Sequence, residues 1–260
     1  MEGSTVTKTP ELFDEQPEHT ISVITPDGPL VLDIYSPEGF KVLANLFTRA
    51  GWEQKISYEP TWLGVQIIQT PEDIVMMQEL IWKVRPDVII ECGVAHGGAV
   101  VLYSSILELM GKGHVIGVDV EIRAHNRKAL EAHPLRRRFT LIEGSSVDQD
   151  TVDQVKQHIQ PKDTVLVALD SNHTAEHVAK ELKLYGPMVS QDSYLVVFDG
   201  VMQMLVDAPR GSPEWDTDNP WHAVKEFLAV SDEFEIDPHY NRLKVTHAPG
   251  GFLRRVSKRR

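Results

Sequence analysis

The chain has 260 residues, 42% of them hydrophobic and 25% charged, which suits one α/β domain with a full core behind an N-terminal extension. Its 26 Lys and Arg against 38 Asp and Glu leave a net charge of −12, which argues against a nucleic-acid partner, because phosphate contacts dominate such binding. No apolar run reaches membrane-spanning length, no apolar targeting segment is present, and one cysteine, Cys92, excludes an intramolecular disulfide and a cysteine-rich metal site. A cytoplasmic protein with no membrane partner is expected, with Cys92 a small buried hydrophobe. Residues 1 to about 20 are polar, with Pro10 and Pro17 and no hydrophobic period, and are expected to be mobile. The basic end, Arg254 to Arg260, is expected to be a frayed tail.

Ile21–Ile24 and Leu30–Ile34 flank Pro26-Asp-Gly28, turn chemistry that predicts a hairpin. Phe40, Leu43, Leu46, Phe47 and Ala50 fall at helical spacing, and Gly51 is expected to end that helix. Trp52–Gln69 reads as an irregular aromatic segment. Thr70 caps the next helix, Pro71 opens it and Pro86 stops it. The extension is placed at 1–60 and the main domain at 61–260.

From Asp87 the chain alternates strand and helix. Predicted strands are Asp87–Cys92, His114–Asp119, Phe139–Ile142, Thr164–Leu169, Ser193–Phe198, Phe234–Ile236 and Phe252–Val256. Predicted helices run Gly98–Met110, Ala124–Ala132, from a cap at Asp148 to Ile159, Thr174–Tyr185 and Pro220–Ala229. Repeated βα units predict a doubly wound, mostly parallel seven-stranded sheet, Rossmann-like, with an antiparallel edge. Asp207–Asn219 is a long polar loop, either a lid or ordinary surface.

Chemistry is expected where strands end: at Glu91 and Gly93, Asp119, Glu143-Gly144-Ser145, Asp170 and Asp199. In an open α/β sheet ligands bind beyond the carboxyl ends of the strands, which makes these ends one site. Gly93, Gly97 and Gly98 let the backbone bend and approach a ligand closely. Asp119 stands where an acid receives a ribose diol, but the turn lacks a clean GxGxxG. A nucleoside without phosphates, such as S-adenosylmethionine, suits it better than a dinucleotide, and its cation suits the acids. Asp170 and Asp199 end neighbouring strands. Two converging carboxylates repel unless they share a proton or a cation, so Mg²⁺ or Ca²⁺ is expected, with Asn172 as a further oxygen donor. His173 is a candidate base beside them. His96 is expected to orient the loop or substrate, and Glu176 and His177 to face solvent.

The motifs Glu91-Cys-Gly-Val-Ala-His-Gly-Gly98, Val118-Asp-Val-Glu-Ile-Arg-Ala-His-Asn-Arg127, Leu141-Ile-Glu-Gly-Ser-Ser146, Leu169-Asp-Ser-Asn-His-Thr-Ala-Glu-His177 and Ala248-Pro-Gly-Gly-Phe-Leu253 resemble the cephalosporin hydroxylase family. The likeness spans about Thr61 to Val256. It implies the class I S-adenosylmethionine-dependent methyltransferase fold, similar to rhamnosyl- and macrocin-type O-methyltransferases that need Mg²⁺. It implies that Glu91, Gly93, Asp119 and the Ser145-Ser146 turn bind S-adenosylmethionine, a set taken to include His96, Gly97, Arg123, Gly144 and Asp170. It also implies that Asp170 and Asp199 hold the metal. Two departures remove negative charge: Phe198 stands where the family commonly has an acid before Asp199, and Asn172 replaces another acid. Ala99 replaces a usual Ser. The expected activity is Mg²⁺-dependent O-methylation of a small molecule, a natural product or sugar, by a homo-oligomer. The alternatives are metal-independent methylation of carbon or nitrogen, and a non-catalytic partner subunit of a hydroxylase.

Overall fold

The structure, a computed structural model, describes residues 19–257. The segment expected to be mobile, up to residue 18, and the last three residues of the basic tail lie outside the described residues. Two compact units divide the chain between Leu46 and Phe47. In the first, β1 (Thr20–Thr25) and β2 (Gly28–Asp33) form the expected antiparallel hairpin. The helix α1 (Pro37–Gln54) begins there and continues past the boundary. Gly51 does not end it. The Ile56 side chain lies where a Cβ on Gly51 would be, within 2.5 Å, so glycine at this point admits a packing contact rather than a stop. Lys55, with φ 56°, makes the turn instead. Trp52 is therefore a helical residue, not part of an irregular segment.

The second unit is built on one sheet. After a small hairpin, β3 (Thr61–Trp62) and β4 (Val65–Gln66), comes α2 (Pro71–Val84), where the Thr70 hydroxyl accepts from the Asp73 N–H. Then follow β5 (Val88–Cys92), α3 (Gly98–Met110), β6 (His114–Asp119), α4 (Ala124–Glu131), β7 (Phe139–Glu143), α5 (Gln149–Lys156), β8 (Val165–Leu169), α6 (Ala175–Tyr185), β9 (Tyr194–Val197), α7 (Pro220–Val230), β10 (Phe234–Ile236) and β11 (Phe252–Arg255). Asp148 precedes α5 but its side chain makes no capping bond, and the helix stops short of Ile159.

The seven strands run in the order β7-β6-β5-β8-β9-β11-β10. The first five are parallel, and β11 is antiparallel to both its neighbours. Arg254 and Arg255 belong to β11, where they pair with Glu235 at 2.7 Å and Glu233 at 3.1 Å, so this part of the basic stretch is structural rather than frayed. Every residue of β5 and β8 is buried, because helices cover both faces. On one face Ile89, Val115 and Leu166 pack with Leu80 and Ile81 of α2 and Val101 and Leu107 of α3. On the other, Ile90, Ile116 and Val167 pack with Val155 of α5, Leu182 of α6 and Val224 of α7.

Strand order reverses between β5 and β8, the crevice where open sheets bind ligands. Truncating Ile90, fully buried beneath that crevice, is expected to cost about 3 kcal/mol through lost burial and a residual cavity. Leu109→Ala, at a residue 82% exposed, should stay within about 0.5 kcal/mol in the same urea melts.

Candidate active site

The turn after β5 is held from two sides. The Gly93 N–H donates to Val118 O at 2.8 Å, and the Asp170 N–H donates to Cys92 O at 2.8 Å. A Cβ on Gly93 would stand 1.9 Å from Asp170 O, and its φ of 102° disfavours any other residue. Gly98, opening α3, would meet Gln66 O at 2.3 Å. Asp119 closes the turn: Oδ2 accepts from the Val94 and Ala95 N–H groups at 2.8 and 2.9 Å, and Oδ1 from Glu121 at 3.1 Å. The acid expected to meet a ribose thus also shapes the turn that would cradle it.

Above the turn lies a cavity of about 250 Å³. Glu91, Gly93, His96, Gly97, Asp170, His173 and Asp199 line it, joined by Trp52, Tyr58, Gln69 and His247. Glu91 is fully buried; neither carboxylate oxygen makes a well-formed hydrogen bond, and the buried Tyr103 hydroxyl near it offsets only part of the cost of burial. Burial, and then the Asp170 charge, push its pKa well above the usual carboxylate range. A cation in the cavity would relieve that cost.

Asp170, His173 and Asp199 converge in the same cavity, with potential ligand atoms all within 4.8 Å of one another. His173 Nε2 lies 2.9 Å from Asp199 Oδ2 and 3.7 Å from Asp170 Oδ1. Asp199 adopts a left-handed backbone, φ 55°, which costs energy and turns the chain sharply after β9. Burial disfavours a charged His173, but the facing Asp199 carboxylate, aided by Asp170, outweighs it and carries the imidazole well above its ordinary pKa. Burial likewise opposes ionisation of Asp199, yet His173 and His247 hold its pKa down at about 2. Asp170 is raised, by burial first and by the Asp199 charge.

Asn172 does not join this group. It is exposed, and its Oδ1 accepts from the Thr174 N–H and hydroxyl at 3.0 and 2.8 Å, a local turn that starts α6. Phe198, where the resemblance led to an expected acid, is packed in the core and is 2% exposed. His247 was not anticipated as a site residue. Its Nδ1 lies 3.7 Å from Asp199 Oδ1, and its backbone N–H is tied at 2.7 Å to the buried Asp73. The signal for it was topological: β11 runs against β9, so the loop before β11 returns to the carboxyl edge.

A second cavity, about 350 Å³, shares Gly93, Ala95, Asp170 and Ser171 with the first and extends past Asp119 and Val120 to Ser145, Ser146 and Asn172. His177 also lines it, rather than facing solvent as expected; Glu176 is exposed and pairs with Lys180. Gly144 supports this edge by donating to Asp119 O at 2.8 Å. Arg123 is exposed, precedes α4 and lines neither cavity.

The loop Asp207–Asn219 is pinned at its start. Arg49 pairs with Asp207 at 2.9 Å, Arg210 donates to Trp52 O at 2.7 Å, and Trp215 packs edge-on against Trp52 at 5.8 Å. The loop fixes Trp52, which in turn faces the site and packs against His247 at 6.0 Å.

The sequence profile of the family described as Rhamnosyl O-methyltransferase/CmcI matches residues 54–256. The chain belongs to this family. A rhamnosyl O-methyltransferase of Mycobacterium bovis is 30% identical over 201 residues, 74% of this chain and 77% of that protein. Among solved structures, an apo form of CmcI aligns with a TM-score of 0.55 at 21% identity, covering 77% of each chain. A CmcI structure described with Mg and SAM gives 0.53 at 21%, covering 77% of this chain and 78% of that one. The chain is an S-adenosylmethionine-dependent methyltransferase. The sheet is that of the class I fold, as expected.

The pairing of His173 with Asp199 sets a pH dependence. A raised His173 contributes stability that is complete below its unfolded value of about 6.5 and is lost as pH rises through the folded value. A lowered Asp199 contributes stability that is complete above 3.8 and is lost as pH falls through about 2. With EDTA present, His173→Gln is expected to flatten the alkaline decline in urea melts and, because His173 is the main group holding Asp199 down, to weaken the acid limb as well; an unchanged alkaline limb would refute the pairing.

Proposed function

We propose that the chain transfers the methyl group of S-adenosylmethionine to a hydroxyl of a small molecule, a sugar or sugar-bearing natural product, with Mg²⁺ held by Asp170 and Asp199. The observation that carries the reading is that the buried Glu91, with no cation beside it, and the Asp170–His173–Asp199 group line one cavity. Glu91 fits the cationic end of the methyl donor. Gly93, His96, Gly97, Asp119, Ser145, Ser146 and Asp170 hold the remainder of that donor, while Gly144 supports them from behind. Arg123, exposed outside both cavities, is left out of this set. The relatives named rhamnosyl O-methyltransferase support a sugar hydroxyl as acceptor, and the CmcI structure described with Mg and SAM supports both small partners.

The two carboxylates, converging here, fit a hard divalent cation that takes oxygen ligands, with His173 beside it rather than bound to it. Bound there, the cation would lower the pKa of the acceptor hydroxyl. His173 is the base. Its raised proton affinity comes from the two carboxylates, so committing their charge elsewhere frees Nε2 to take a hydroxyl proton. Trp52 and Tyr58 wall the acceptor side and exclude water; they belong to the stretch ascribed to the extension, which therefore supplies part of the site. Positioning of acceptor oxygen against the donor methyl supplies most of the remaining rate.

With tritiated S-adenosylmethionine and a panel of deoxysugar glycosides, turnover is expected to vanish in EDTA and return with Mg²⁺. Asp199→Asn should lower kcat/KM by about 100-fold while S-adenosylhomocysteine still binds. Failure of the wild type to bind S-adenosylmethionine would overturn the reading. Phe198, buried in the core, favours metal-independent transfer as the second reading, and turnover that persists in EDTA would establish it. The proposal includes a cytoplasmic homo-oligomer. Val75 and Trp82, seven residues apart on one face of α2, are 46% and 50% exposed, and light scattering should find more than one copy per particle.

A further inference from the structure

Behind the second cavity lies a buried network with no part in the methyl transfer itself. Glu181, on α6, is fully buried, and its Oε1 accepts from the Ser146 hydroxyl at 2.5 Å and the Ser171 hydroxyl at 2.6 Å. His177 Nε2 stands 3.0 Å from Ser146 Oγ and 3.3 Å from Ser171 Oγ. Ser146, Ser171 and His177 line the cavity; Glu181 stands behind them.

A hydroxyl carries one proton and two acceptor lone pairs. The shorter bonds, to Glu181, take each serine's proton; His177 Nε2, which also faces Glu181 Oε1 at 3.4 Å, then carries its own proton toward this group and occupies one serine lone pair. What Ser146 and Ser171 can still offer is a lone pair, so toward the cavity they are acceptors and cannot donate. A ligand edge bearing an N–H is matched by that arrangement. An edge bearing a carbonyl oxygen would leave acceptor facing acceptor in a water-poor place, the kind of mismatch that discriminates strongly. Glu181 reaches no ligand; its effect passes through the two hydroxyls whose direction it sets.

We propose that Glu181 is a positioning residue that fixes Ser146 and Ser171 as acceptors and thereby makes the cavity select a base with an exocyclic amino group, adenine, over one with a carbonyl at that place, hypoxanthine. The inference rests on the reading of this cavity as the nucleoside site.

Calorimetry with S-adenosylhomocysteine and its deaminated counterpart, S-inosylhomocysteine, tests it. The wild type is expected to bind the adenosyl compound about 100-fold more tightly. Glu181→Gln places an amide behind the serines, and its NH₂ lets them turn their own protons outward. The preference should then fall to a few-fold, with the adenosyl compound losing affinity and the inosyl compound gaining it. Equal binding of the two by the wild type overturns the proposal, as does a Glu181→Gln protein that weakens both in proportion, the mark of a merely structural role. Ser171→Ala keeps Glu181 and removes one acceptor. It should lower the preference about tenfold, and an unchanged preference there overturns the proposal even if Glu181→Gln does not fold. Binding of neither compound by the wild type refutes the nucleoside site itself, an outcome distinct from binding without preference.

Discussion

The rest of the site depends on how closely two backbones approach where strand order reverses. The turn after β5 and the end of β8 are joined by the bond from the Asp170 N–H to Cys92 O, with room for a glycine and nothing larger at Gly93. Because β5 and β8 are neighbours in register, the approach fixes Asp170 against the floor of the cavity. From there the other groups take their places. Asp119 anchors the turn from β6, and Asp199 approaches from β9 on the other side. The sheet thus sets distances among groups far apart in the chain.

Electrostatics then determine what the cavity receives. Glu91, Asp170 and Asp199 bring three carboxylates into one partly buried space, and burial opposes ionisation of each. His173 offsets part of this, and is itself held protonated by the acids it faces. Glu91 has no such partner. A cavity with this charge favours cationic ligands, which is the property a sulfonium donor and a divalent ion have in common. It also makes the proton on His173 dependent on what else neutralises Asp199.

Around this centre the chain uses aromatic contacts and hydrogen bonds to hold its walls. Trp52 is gripped by Arg210, Trp215 and His247, so the polar loop after β9 braces one wall of the cavity. Beside the second cavity, Glu181 binds two serines that follow different strands. Neither arrangement is local in sequence. Trp52 and Arg210 are 158 residues apart, and Ser146 and Glu181 are 35 apart.

The sequence by itself determined the βα alternation, because continuous apolar runs such as Val88–Ile90 and Val165–Val167, short and rich in β-branched residues, read as strands buried on both faces, and Thr70, Pro71 and Pro86 punctuate a helix by local chemistry. It determined the acids that follow the strands, since a strand's end is a local property. It also carried the motifs that mark the family. Tertiary structure decided which acids meet. Asp170 and Asp199 share a point because β8 and β9 pair, whereas Asn172 turns aside to start α6. It placed Trp52 on a helix that runs through Gly51, since the room at Gly51 is filled by Ile56 and a glycine cannot declare whether it ends a helix or admits a neighbour. It brought His247 to Asp199 through an antiparallel strand at the far edge, and turned His177 inward to a buried carboxylate. Local pattern fixes where polar groups stand along the chain; pairing and packing across long separations fix which of them touch.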